Sequence, residues 1–281
     1  MVERGELGFR RRPFCKSLGV IPRILHFNYF GLDTTARNFP LIYYIAIRSA
    51  VEWIKPDKVL FYNTREPGGK YWDAVKPLLT RVPCEPPTEI FGRPLLHYAH
   101  QSDIVRLRAL IATGGIYLDM DTVCRRSFDD LLSHPAVMGV QRFPNEHLGL
   151  CNAVILSEPN NPFMLEWLES YRTFRSKGRD KRWDEHGVRL PWKLARMNDD
   201  GKSGHKDLHV EPPESFFEPS WWPSEHERLF DRVEEFPAAY CHHLCETASY
   251  QRYLQTITEQ YIREVDTTYN LAARPFLPGL E

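Results

Sequence analysis

The run SDIVRLRALIATGGIYLDMD, Ser102 to Asp121, does most to limit what this chain can fold into. Ile104, Leu107 and Ile111 recur at helical spacing and predict a helix from about Tyr98 to Ala112 with one apolar stripe. Gly114 stands just past its end, where helices commonly close. Ile116, Tyr117 and Leu118 follow as a short apolar run suited to a buried strand. A helix that feeds such a strand through a glycine turn belongs to an α/β layer structure. Two carboxylates, Asp119 and Asp121, then stand where more apolar residues would be expected. One unpaired buried carboxylate is costly and two neighbours repel, so the chain must hold something between them.

The rest of the chain fits that frame. Val20–Phe27 and Lys58–Tyr62 read as strands, and Leu41–Trp53 as a helix stopped by Pro56. Tyr71–Leu79 reads as a short helix, followed by a proline-rich connection from Pro83 to Pro87. After Cys151 we expect a strand at Asn152–Leu156 and a helix at Pro162–Phe174. Loops around one helix at Pro191–Met197 fill Lys177–His209, and a strand at Ala238–Leu244 precedes a C-terminal helix at Tyr250–Val265. Alternating strands and helices imply a mostly parallel sheet flanked by helices, with ligands beyond the carboxyl ends of its strands. The expected organisation is a tail at 1–19 and one domain over 20–281, divided into a binding half (20–125) and a looser half (126–281).

Charge and composition remove several classes. Among 281 residues the formal net charge is -1, which argues against nucleic acid as a partner. The basic run Arg10–Arg12 reads as a solvated tail. No apolar run is long enough to span a bilayer, since Phe39–Ile54 is broken by Arg48 and Glu52. Glu3, Arg4 and Glu6 do not suit a signal peptide, and no Asn-x-Ser/Thr acceptor occurs. Six scattered cysteines suit reduced thiols. The expectation is a cytoplasmic or membrane-peripheral chain, the alternative a Golgi-lumenal chain without its anchor. Oligomeric state is not readable.

Strand alternation puts Tyr117, Asp119 and Asp121 on one side. Two carboxylates aimed at one point suit a hard divalent cation, Mn²⁺ or Mg²⁺, with positions left for phosphate oxygens. The alternative is a turn in which one aspartate caps a helix and the other is solvated. Asp103 and Arg106 share a helix face and are either a surface ion pair or part of the same cleft. Cys241, His242, His243 and Cys245 are candidate zinc ligands, but the usual second Cys-x-x-Cys half is missing. Trp221-Trp222 is either a sugar platform or core.

Ser102 to Asp121 resembles the central motif of sugar-nucleotide-dependent glycosyltransferase family 32, which carries a DXD sugar-binding region. Ile21 to Gly31, IPRILHFNYFG, resembles that family's opening strand. The resemblance implies a GT-A-like nucleotide-binding fold, a divalent metal and retention of anomeric configuration. It gives Asp119 and Asp121 to the metal and the donor diphosphate, Asp103 to donor hydroxyls and Arg106 to the transferred sugar. Ser102, Tyr117 and Asn152 would lie near the donor, and Tyr29 would stack on the base where relatives often carry Trp. His26 is either a donor contact or a hydrogen-bonded residue at a strand end. CHHLCETASY resembles a late segment that completes the metal shell, through His243 or alternatively His242. The Thr-Gly-Pro segment common in relatives is absent, and His186-Gly187 stands in the comparable region.

These readings give a metal-dependent glycosyltransferase that takes a UDP-sugar, or GDP-mannose, and a glycan, glycolipid or protein acceptor. The alternatives are a metal-dependent hydrolase of glycosides or phosphate esters, and a non-catalytic nucleotide-sugar-binding module.

Overall fold

The computed structural model describes residues 20–30, 38–143, 146–175, 184–198 and 200–279. The 1–19 tail with its Arg10–Arg12 run and Cys15, and Gly31 of the opening motif, lie outside the described residues.

Leucine, isoleucine and aromatic residues in β1 (Ile24–Tyr29), β2 (Lys58–Asn63) and β6 (Gly115–Leu118) build the centre of the sheet. The edges are β3 (Thr80–Pro83) on one side and β10 (His209–Glu211) on the other. With β8 (Ala136–Phe143) and β9 (Glu146–Ser157), the order is β3-β2-β1-β6-β9-β8-β10. The β1–β2, β2–β3, β1–β6 and β8–β10 pairs are parallel, and only β9 runs against its neighbours. The sheet is thus mostly parallel, as expected, with β9 the exception. Two ribbons stand outside it: β4 (Glu89–Ile90) with β5 (Arg93–Pro94), and β7 (Thr122–Cys124) with β11 (Cys241–His243).

Alternation along the strands divides the core in two. Leu25, Phe27, Tyr29, Ile116 and Leu118 face α1 (Leu41–Ile54) in the larger apolar cluster. Helix α1 is buried on nearly all sides, with Ile45, Ala46 and Ile47 fully covered, because β7 and C-terminal segments cover the side away from the sheet. It ends at Lys55 in the left-handed conformation, just before Pro56. Short α2 (Lys70–Val75) packs Trp72 into the same cluster. Tyr117, Met138 and Ile155 face the other way, against α3 (Tyr98–Thr113) and α4 (Pro162–Ser170).

The helix–strand joint at Gly114-Gly115 requires both glycines. They sit at φ +65° and +117°, and a Cβ on Gly115 would lie 2.3 Å from the Ile24 carbonyl. The close approach lets β6 slide against β1 without a gap. Among the described residues, no helix is long and apolar enough to cross a membrane.

Three strands of the main sheet, the ribbon strands β4, β5 and β7, and one helix depart from expectation. β3 carries Arg81 and Pro83 and is tolerated because it is an edge. β8 holds Gly139, where a Cβ would meet the Phe216 and Phe217 rings at 2.6 and 2.8 Å, so packing dictates a weak strand former. β10 has only three residues. The helix expected at Tyr250–Val265 is broken: Thr258 and Thr267 accept from Tyr261 N and Asn270 N and start separate short helices at Glu259–Glu264 and Thr268–Ala273.

Candidate active site

Strand β6 ends at Leu118, and Asp119–Asp121 form a turn closed by Thr122 N donating to Asp119 O at 3.2 Å. Simple alternation therefore does not carry Asp121 to Asp119's side; the turn does. Tyr117 Oη donates to Asp119 Oδ1 at 2.6 Å, and Arg106 Nη1 lies 3.4 Å from the same oxygen. Asp121 Oδ2 accepts from Glu246 N at 2.7 Å, while Oδ1 lies 3.3 Å from His243 Nε2. The β7–β11 ribbon sets His243 opposite Thr122, bringing the late histidine to the turn. Ligand atoms of Asp119, Asp121 and His243 all lie within 4.8 Å of one another. Two carboxylates and one imidazole are a donor set that fits a divalent cation.

The electrostatics of this cluster agree with its geometry. Burial alone would raise the Asp121 carboxyl, but the His243 charge and hydrogen bonds from His243 and Glu246 N carry it below its usual value. Burial opposes a charged His243, and Asp121 outweighs it, raising the imidazole well above its ordinary pKa. His242, the alternative ligand, turns away: its ring meets Arg125 Nη1 at 3.0 Å and Glu218 O at 3.3 Å. Cys241 is buried in the core. The four zinc candidates therefore do not converge.

Beside the turn lies a buried polar floor. Asp103 and Arg106 are 3% and 5% exposed, so they are no surface ion pair. Asn152 Nδ2 donates to Asp103 Oδ1 at 2.7 Å, and Tyr171 Oη donates to Oδ2 at 3.3 Å. Arg106 Nη1 donates to the Asn152 carbonyl at 2.6 Å and Nη2 to Ser102 Oγ at 3.2 Å, with the guanidinium over the Tyr117 ring. Asn152 reaches Asp103 because the β8–β9 register shifts between Met138 and Gly139, a bulge of the kind that re-aims side chains.

Burial pushes the Asp103 carboxyl up to about 6, against the pull of Arg106. The folded chain then favours protonated Asp103, so this residue's contribution to stability is greatest below about pH 3.8 and is lost as pH rises through about 6. For activity the sign reverses if the charged carboxylate holds a hydroxyl. We expect kcat/KM to rise through about pH 6, and Asp103→Asn to flatten that limb in a pH–rate profile.

The π-helical turn Glu185–Arg189, just before α5 (Leu190–Ala195), closes over this floor. A Cβ on Gly187 would lie 2.6 Å from Asn152 Nδ2 and 3.2 Å from Asp103 Oδ2. Gly187→Ala is expected to lower kcat roughly tenfold by displacing that pair while the protein still folds. Steady-state kinetics beside a thermal melt checks this; unchanged kcat counts against the floor's role.

Other expected donor residues are placed differently. Tyr29 lies on the α1 side, 6% exposed and packed on Phe61, Phe39 and Tyr43, so its ring offers no face for a base. His26 is fully buried, with Nδ1 3.1 Å from Tyr62 Oη and Nε2 2.8 Å from Gly114 O, and burial lowers it to about 4. It ties β1 to the end of α3 and does not reach the cleft. Ser102 and Tyr117 join the floor, but Tyr117 is covered and acts through Asp119. Trp222 is exposed and edge-on to Trp221. Tyr171, Gly187 and Glu246 were not foreseen in these contacts. Only Gly187 carried a signal, as a glycine in the segment comparable to the relatives' acceptor region.

An Asp–Asp–His cluster thus lies beside a buried acid–arginine pair, at the carboxyl ends of a mostly parallel sheet. Residues 76–138 match the glycosyltransferase sugar-binding region containing the DXD motif. The chain is 35% identical over 272 residues to Glucan organizing enzyme 1 of Cryptococcus neoformans var. grubii, covering 92% of this chain and 71% of that protein. It belongs to the DXD-containing, family 32-like glycosyltransferases. Mannosyl phosphorylinositol ceramide synthase SUR1 of Saccharomyces cerevisiae is 35% identical over 83 residues, 30% of this chain and 19% of that one. Among solved structures, PaToxG glycosyltransferase gives a TM-score of 0.42 at 17% identity, covering 63% of this chain and 69% of its own. The galactosyltransferase LgtC gives 0.40 at 13%, covering 86% and 100%.

Proposed function

We propose that the protein transfers a sugar from a nucleoside diphosphate sugar to a hydroxyl acceptor with retention of configuration. The carrying observation is the meeting of Asp119, Asp121 and His243 beside the buried Asp103–Arg106–Asn152 floor. A divalent cation, Mn²⁺ or Mg²⁺, held by that trio would neutralise charge on the departing diphosphate. Arg106 supplies a fixed positive charge next to Asp119, and Asp103 with Asn152 offers acceptor and donor atoms to sugar hydroxyls. Their partners already lock these side chains, so orientation costs little when the donor binds. Tyr117 fixes the carboxylate of Asp119 in place.

UDP-sugars are the first donors to test and GDP-mannose the second. The names of SUR1 and of inositol phosphoceramide mannosyltransferase 3 of Schizosaccharomyces pombe support a mannosyl donor and a glycolipid acceptor as one arm. Glycan and protein acceptors form the other arms. A screen of nucleotide sugars with Mn²⁺, scored by released nucleoside diphosphate with and without acceptor, tests the reading. Acceptor-independent release of free sugar as the main product would favour a hydrolase. Against that, Asp119 and Asp121 stand on one turn and offer oxygens to one point, whereas glycosidase carboxylates face each other across a bond, roughly 5–9.5 Å apart. Binding with no turnover of any donor would leave a binding module.

His243→Ala is expected to raise the Mn²⁺ concentration for half-maximal activity at least about tenfold. An unchanged metal titration would remove His243 from the cation site.

A further inference from the structure

Cys245 stands between the two groups that join the late segment to the acidic turn. Two residues before it, His243 ends β11 with Nε2 3.3 Å from Asp121 Oδ1. One residue after it, Glu246 N donates to Asp121 Oδ2 at 2.7 Å. For both to reach one carboxylate the chain must turn sharply, and Cys245 makes that turn in the left-handed conformation at φ +52°. Glycine and asparagine are the ordinary occupants of such a position. The turn's own hydrogen bonds run from Ala248 N and Ser249 N to Cys245 O, at 2.8 and 3.0 Å, and do not call for a thiol.

The thiol folds back on His243. Cys245 Sγ lies 3.5 Å from His243 Nδ1 and 3.6 Å from His243 O. A thiol has one proton to give, and a carbonyl oxygen only accepts. Both contacts are satisfied in only one way: Sγ–H donates to His243 O, and the sulfur accepts from Nδ1–H. Cys245 is not itself a ligand. Among the described residues, the donor atoms within 4.8 Å of one another come from Asp119, Asp121 and His243, and sulfur does not suit a hard cation. The imidazole also meets the Phe217 ring edge-on, with centroids 6.0 Å apart, so sulfur, Phe217 and Asp121 together fix its orientation.

We propose that Cys245 is the positioning residue of the cation site: its sulfur holds the Nδ1–H of His243, so that Nε2 is the nitrogen left to face the ion. Histidines that bind metals commonly give their other N–H to a carboxylate, a backbone carbonyl or water, which fixes the tautomer and the ring. Here a thiol two residues along the chain fills that place, and the left-handed turn carries it there. The inference rests on the reading of Asp119, Asp121 and His243 as a cation site.

The test is a Mn²⁺ titration of the full chain with UDP or GDP present. Free Mn²⁺ is counted by electron paramagnetic resonance, and a thermal melt is run alongside. Cys245→Gly suits the left-handed turn and keeps its backbone hydrogen bonds, so the melting temperature should stay close to that of wild type. Its Mn²⁺ affinity should fall about tenfold, the scale expected when a metal-binding histidine loses its outer partner. Cys245→Ser returns one donor and two acceptor lone pairs and should recover most of that affinity. Wild-type affinity in Cys245→Gly overturns the assignment and leaves the cation site standing. A weakened affinity that serine does not restore also overturns it, because the side chain would then act by filling space. If Mn²⁺ binds the wild type with neither nucleotide, the cation-site reading falls, and this proposal with it.

Discussion

Asp121→Asn is expected to lower sugar transfer by about a hundredfold to a thousandfold. The substitution keeps the shape of the side chain, so Glu246 N retains its acceptor. What disappears is the charge that faces His243 and completes the acidic pair. Loss of the ion pair lets the His243 imidazole fall back toward its ordinary pKa, since Asp121 is the chief group raising it. The melting temperature should change only modestly, because the aromatic and aliphatic packing around the turn is untouched. Turnover assayed across a Mn²⁺ titration, beside a thermal melt, distinguishes the outcomes. Wild-type turnover by Asp121→Asn would remove this carboxylate from the chemistry.

Arg106→Met should act differently, on fold and activity together. The guanidinium lies between Asp103 Oδ1 at 3.5 Å and Asp119 Oδ1 at 3.4 Å. Burial disfavours its charge, but Asp119, Tyr117 and Asp103 more than restore it, raising its pKa. Methionine fills much of the same volume and leaves the buried Asp103 and the partly exposed Asp119 without their cation. Breaking a buried pair in this way costs about 3–5 kcal/mol, or on the order of 10 °C in melting temperature for a chain of this size. Arg106→Lys keeps a charge without the planar fork and should recover stability more than activity. A melt of Arg106→Met within two or three degrees of wild type, about the shift from 1 kcal/mol, would contradict the balance described here.

The part of this architecture written most plainly is the helix–glycine–glycine–strand unit. Its apolar spacing, the double glycine and the two aspartates each have a local cause, and they recur almost residue for residue in α3, β6 and the turn. The meeting of Asp103 with Asn152 was not readable in the same way. It depends on a register shift that leaves residues 152–154 of β9 without partners on β8, and no local pattern in EHLGLCNAVILS announces a bulge. Gly139 is similar, because its reason is the position of Phe216 and Phe217 far along the chain. Tyr29 misled for a physical reason: an aromatic near a strand end looks the same whether it faces a ligand or three other rings. The broken C-terminal helices show propensity yielding to capping, since Thr258 and Thr267 offer oxygen acceptors that restart the chain.

The ribbon of β7 and β11 has a consequence for how the protein comes into being. Asp119 and Asp121 leave the ribosome long before His243 is translated, with more than a hundred residues between them. Until Cys241–His243 docks on Thr122–Cys124, the emerging polypeptide carries an acidic knuckle without its imidazole. A chain stalled or clipped before Cys241 lacks the imidazole that completes the Asp119–Asp121–His243 cluster, even if its first half has already folded.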